Sequence, residues 1–218
     1  MKRKMLAWMI IVLAASAGAW GQAERTVKIE FSNPGLIPAT WTLEIHPDGN
    51  GHFRSERGTA PRTMGWTEPP DLDTIVQVSA AFATHVFETA AAERYFQMDC
   101  ESPAKVAFQG TKRLSYTGPD GSGACSFNFS KEKPIQDIGD ALEAVAATII
   151  EGARLERLRQ HDRLGLDQEI QTYAEMLTDG RAAEVGTIRE ELERIADDEA
   201  VMERVRRKAR DLLAKAAK

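Results

Sequence analysis

His46, Pro47, Asp48 and His52 are the closest grouping of metal-binding residue types in this 218-residue chain. Two imidazoles and a carboxylate are three ligands of the kind that hold Zn²⁺ while a fourth position stays open to water, the arrangement that hydrolytic zinc sites use. Strand alternation puts both histidines on the outward face of a hairpin, roughly opposite each other. No neighbouring residue is spaced to orient either ring, which zinc ligands normally require. An Asp set between Pro and Gly is also what a tight turn demands for backbone reasons. His46, Asp48 and His52 are thus candidate ligands, while the predicted role of the hairpin is structural or ligand-contacting.

Other routes to catalysis lack their residues. There is no G-x-S-x-G elbow, no glycine pattern that cradles phosphate, no HEXXH pair and no EF-hand loop. A Cys–His nucleophile requires a free thiol, and Cys100 and Cys125 are expected to be bridged. The Asp71/Asp73 and Asp197/Asp198 pairs are expected as helix caps and dipole partners. His85 lies beside an apolar helical stripe and is expected to be packed and hydrogen-bonded. No catalytic residue is assigned and no cofactor is implied.

Compartment is better marked than chemistry. Lys2, Arg3 and Lys4 precede an apolar run over residues 5–15, with small residues at Ala17, Ala19, Gly21 and Ala23. Residues 1–23 therefore read as a bacterial signal peptide cleaved after Ala19 or Ala23, too short in its apolar run to span a membrane. The expected location is periplasmic or secreted, with no stable membrane span once the signal is removed. An even cysteine pair in an oxidising compartment predicts one disulfide, Cys100–Cys125. Beyond residue 23 the chain carries 25 Lys and Arg against 33 Asp and Glu, a formal charge of −8 that argues against nucleic acid as a partner.

The elements that must position these residues change character near residue 131. Val27, Ile29 and Phe31 alternate with polar neighbours, as do Trp41, Leu43 and Ile45 before the turn at Pro47-Asp48-Gly49-Asn50-Gly51 and the restart at Phe53. A second P-D-G-x-G turn, residues 119–123, separates Leu114 and Tyr116 from Cys125, Phe127 and Phe129, predicting a second hairpin. Val76 and Val78 end a strand, and Ala81, Phe82, Val86 and Ala90 predict a helix laid on the sheet. Residues 58–71 read as a long loop in which Trp66 is a possible contact residue.

From Pro134 to about His161 the apolar spacing is helical, and Gly165, Gly180 and Asp197-Asp198 then divide the remainder into three shorter amphipathic helices. The fold class is α+β: a small antiparallel, hairpin-based sheet with packed helices, followed by a C-terminal helical bundle. The expected organisation is residues 1–23 as signal, 24–163 as an α+β domain ending in a long helix, and 164–218 as the helical C-terminal region. Arg204, Arg206, Arg207, Lys208 and Arg210 make the last helix basic, which suits either an anionic surface or the helix dipole.

The order of Trp41, a P-D-G turn, Phe53, a helix ending at Tyr95-Phe96, the Leu114-Ser115-Tyr116 and Phe127 hairpin and a further helix resembles a bacterial secreted α+β domain of unknown function over residues 27 to about 150. What that resemblance shares is turns and core residues, so it implies a fold and a compartment and brings no catalytic group. The leading expectation is a non-catalytic binding or interaction module whose partner is a protein or envelope component. The alternatives are a secreted hydrolase, metal-dependent through His46, Asp48 and His52, and a structural or inhibitor-like envelope protein.

Overall fold

The computed structural model describes residues 24–59 and 68–216. The leader segment and Trp66 lie outside these residues. Strands β1 (Thr26–Ser32), β2 (Thr40–Ile45), β3 (Asn50–Glu56), β4 (Leu72–Gln77), β5 (Thr111–Gly118) and β6 (Gly121–Phe127) form one antiparallel sheet in the order β4-β3-β2-β1-β5-β6. Alternation fixes its two faces. Val27, Ile29, Phe31, Trp41, Leu43, Ile45, Phe53, Leu114, Tyr116 and Phe127 all point inward and are buried. Trp41 stacks between Phe31 and Phe53 at 5.3 and 6.2 Å. The outer face carries ion pairs across strands, Lys28 with Glu44 at 3.5 Å and Arg113 with Glu30 at 3.4 Å. One solvated and one apolar face is the pattern an antiparallel sheet tolerates.

Helices cover only the inner face. α1 (Ala80–Ala92) starts where Ser79 accepts a hydrogen bond from the Phe82 N–H, and it buries Ala83, Val86 and Ala90. His85 falls off that stripe and is exposed, correcting the expectation of a packed histidine. α2 (Lys133–His161), with Pro134 in its first turn, sets Ile135, Ile138, Leu142, Val145 and Ile149 on the sheet. A second core begins further along the same helix at Leu155 and Leu158 and is closed by α3 (Arg163–Asp179), α4 (Arg189–Asp197) and α5 (Glu203–Ala216).

Two boundaries differ from the glycine-based reading. The chain breaks at Asp162, whose carboxylate accepts from the Gly165 N–H at 2.9 Å to cap α3. Gly165 therefore lies in the first turn of α3, where a Cβ would stand 2.6 Å from that capping oxygen. The Val185–Ile188 stretch is a separate 3-10 turn ahead of α4.

Lys112 breaks the inward apolar pattern of β5. It is 3% exposed, with its ammonium 3.1 Å from Glu143 on α2 and 5.6 Å from the centre of the Phe127 ring. Burial raises the Glu143 carboxyl above the usual carboxylate range, and Lys112 opposes that shift. The pair pins α2 to the sheet with a charge-assisted hydrogen bond.

After α1 the chain makes a left-handed turn in which Arg94, Tyr95 and Phe96 have φ of 52°, 56° and 65°. Left-handed backbone costs an L-residue roughly 1–2 kcal/mol, so something must hold it. Phe96 is fully buried, and the Tyr95 ring stacks on Tyr116 at 4.6 Å. Beyond the turn, Gln97 Nε2 donates to the Ser122 carbonyl of β6, and Cys100 is disulfide-bonded to Cys125 with Cα atoms 5.7 Å apart. Residues 93–102 thus form a strap across β6. The glycines of the second turn make room for it, since a Cβ at Gly121 would meet the Tyr95 ring at 2.4 Å and one at Gly123 the Tyr95 carbonyl oxygen at 2.4 Å.

Gly123→Val should therefore destabilise the oxidised protein by about 2 kcal/mol, since overpacking against backbone cannot relax through a side chain. Gly186→Ala, where nothing lies within 4 Å of the added carbon, should be close to neutral. Urea unfolding of both variants checks this, and equal midpoints would show that the strap does not rest on β6.

Candidate functional site

The first hairpin separates its histidines. β2–β3 register sets His52 across from Glu44, while the His46 N–H donates to the Asn50 carbonyl, so the two rings sit diagonally on the outer face. His46 turns toward β1, with Nδ1 3.3 Å from the Arg25 carbonyl and 3.5 Å from Glu24. His52 turns the other way, its Nε2 2.6 Å from Asp73 Oδ1 on β4. Asp48 stays in the turn and accepts from the Asn50 N–H at 2.9 Å, the bond that chiefly lowers its carboxyl pKa. Among the described residues no group of three or more His, Cys, Asp or Glu side chains is placed to hold a metal ion.

The paired aspartates have other roles than helix caps. Asp71 accepts from the Arg57 N–H at 2.7 Å, and Asp73 is the partner of His52. Asp198 follows the end of α4, accepting from the Ala200 N–H and pairing with Arg159 at 3.0 Å. The basic last helix is partly neutralised within the fold. Arg204 makes two hydrogen bonds to Asp167 at 2.8 and 2.7 Å, and Arg206 and Arg210 both reach Glu203. In the second hairpin the Tyr116 hydroxyl donates to Asp120, and burial together with that bond pushes the phenol up to about 12.

A groove of about 1130 Å³ runs along the outer margin of the sheet. One wall is the whole length of β4 and its continuation through Val78 and Ser79. The other is the 3-10 turn and the start of α4, from Glu184 to Glu191, with the end of α5 at Lys215 and Ala216. Ile149 and Ala153 of α2 lie between them as the floor. Ile75 stands on this margin with 76% of its surface exposed. The Glu184 carboxylate closes one end by accepting from the Ser79 N–H and hydroxyl at 2.5 and 2.9 Å. Sequence reasoning missed this site because its walls lie more than a hundred residues apart. The signal available was the solvent-facing Ile75 in a segment without Pro, Gly or Lys.

Behind the groove, polar groups join the two cores. Thr148 Oγ1 donates to the Ala183 carbonyl at 2.5 Å, and the Ala183 N–H donates to the Ala144 carbonyl at 3.2 Å. One turn on, the Glu151 side chain is 3% exposed and 2.8 Å from Arg154, which also reaches Glu169 of α3 at 3.0 Å. Burial pushes the Glu151 carboxyl up to about 8; Arg154 opposes the shift, and a hydrogen bond to Glu169 favours the protonated form.

Exposed apolar side chains also gather at the opposite end of the strands from the two tight turns, with Phe108 61% and Leu36 47% exposed. Their loops are tied by the Asn33 side chain donating to the Gln109 carbonyl at 3.0 Å. No protein-family model matches the chain, and no curated protein matches it in sequence.

Replacing His46 and His52 together by Ala should change stability by no more than about 1 kcal/mol, since one exposed ion pair is lost. Thermal unfolding and a calorimetric zinc titration test this assignment. Stoichiometric zinc binding that vanishes in the double variant would overturn the non-metal role.

The raised Glu151 pKa sets a sign. The folded protein keeps a proton that the unfolded chain releases above the ordinary carboxyl value of 4.5, so stability falls as pH rises from there to about 8 and then levels off. Glu151→Gln should flatten that fall by on the order of 2–4 kcal/mol. Urea midpoints at pH 5 and pH 8 report it, and an unchanged pH dependence in the variant would contradict the buried protonated carboxyl.

Proposed function

We propose that this chain is a non-catalytic binding module that works outside the cytoplasm and receives a protein or envelope component in the groove between β4 and α4. The observation that carries this reading is the groove. It is open, mixed in polarity and walled by two separately cored parts of the molecule, which is where binding clefts recur. Its lining supplies backbone edge groups and solvated carboxylates without a base or nucleophile held at reacting distance. The residues that could have done chemistry are engaged elsewhere, His52 by Asp73, Asp48 by its own turn and both cysteines by each other.

The compartment rests on the first 23 residues and is supported by the Cys100–Cys125 bridge, a bond that persists in oxidising surroundings. No helix among the described residues is long and apolar enough to cross a membrane.

The test is site-resolved photo-crosslinking in the envelope fraction, with a photoreactive residue placed at Thr187 in the groove or at Gln171 on α3. A discrete adduct from position 187 and none from 171 is expected. Adducts of equal yield at both positions, or none at 187, would sink the groove as the contact surface.

A further inference from the structure

The two sheet margins differ. β6 lies under the strap, where the Ser122 carbonyl already accepts from Gln97. β4 faces the groove. The Val78 N–H donates to the Gly49 carbonyl across the β3 side. In an antiparallel ladder the N–H and C=O of one residue point the same way and alternate along the strand. Val76 and Thr74 therefore face β3, and Gln77, Ile75 and Asp73 present their backbone groups to the groove. Natural edges are usually blunted by Pro, Lys, a bulge or a cover. The sequence LDTIVQ of β4 has neither Pro nor Lys, its pairing with β3 runs unbroken from Leu72 to Gln77, and Ile75 is left bare.

Resting on the reading of this groove as the binding site, we propose that its occupant is an extended segment of a partner polypeptide that adds to the sheet as a seventh strand beside β4, with apolar and basic side chains alternating. A strand beside β4 would sit about 4.8 Å away and take up the free donors and acceptors of Asp73, Ile75 and Gln77. Its side chains would alternate between two environments. On the outer face they lie next to Ile75, which selects an apolar residue. Toward the helices they meet the groove wall, where charge selects the sign. Asp73, Glu184, Glu190 and Glu191 line the groove against Arg189 and Lys215. The acidic excess, on a chain of formal charge −8 beyond residue 23, favours Lys or Arg in the incoming strand.

The probe is a capped hexapeptide of alternating Lys and Val, titrated into the intact exported protein and followed by backbone amide shifts. Saturable shifts confined to β4 and residues 184–191 are expected, weakened severalfold by 1 M salt, with the Glu–Val analogue binding at least tenfold more weakly. Two further peptides carry N-methyl groups on the Lys or on the Val nitrogens. Only one set of amides can point at β4, so one methylated peptide should lose binding at least tenfold and the other should not. Ile75→Pro removes an outward donor without touching the β3 ladder and should abolish binding while the folded spectrum persists. The variant concerns the protein and the methylated peptides the ligand, so misfolding of Ile75→Pro leaves the second comparison intact. No saturable shift at millimolar peptide, equal binding of both methylated peptides, or equal binding of the Glu–Val peptide would each overturn strand addition. Groove crosslinks at position 187 that persist alongside such a result would keep the groove as a binding site and reject only the strand.

Discussion

An α-helix rises 1.5 Å per residue, so the 29 residues of α2 run for roughly 43 Å, longer than either hydrophobic core needs on its own. Everything else is arranged along that rod. Its first half presents Ile135 through Ile149 to the sheet, and its second half presents Leu155 and Leu158 to α3, α4 and α5. A helix with apolar residues on one stripe must bury that stripe along its whole length. Here the sheet covers only the first part, so the three C-terminal helices are the remaining cover.

The join between the two cores is tight and polar at once. A Cβ on Gly152 would stand 2.4 Å from Ile188, so the 3-10 turn packs directly against the α2 backbone. Thr148 and Ala183 exchange hydrogen bonds at the same level. These contacts set where the Glu184–Glu191 wall stands relative to β4. The width of the groove is therefore fixed by packing against one rigid helix, and a ligand entering it meets walls already in place, which keeps the reorganisation cost of binding low.

Much of this was legible from residue spacing. Two-residue alternation found β1, β2, β3 and the second hairpin, and the switch to helical spacing after Pro134 found α2 and the bundle, because burial on one face imposes a period whatever the neighbours are. The cysteine pair followed from number and compartment. What failed was local chemistry with more than one use. Gly165 looks like a helix break and is instead the residue that lets Asp162 cap α3. Asp73 looks like half of a capping pair and is a strand residue holding His52. Lys112 reads as polar and is buried, because Glu143 and Phe127 meet it from elements that sequence spacing cannot bring together. The groove was invisible for the same reason, being made by the tertiary approach of β4 to residues 184–191.

The strap across β6 also fixes the valence of the molecule. A sheet that grows by adding copies end to end needs two available margins on every copy, one to give and one to receive. Here one margin is overlaid by the left-handed turn and locked by the Cys100–Cys125 bond. Any contact made through β4 therefore stops after a single addition. A free margin rich in β-branched residues is ordinarily an invitation to fibril growth; with its counterpart sealed, it becomes a monovalent socket, and the oxidation that closes the bridge is also what keeps the chain from polymerising through its own sheet.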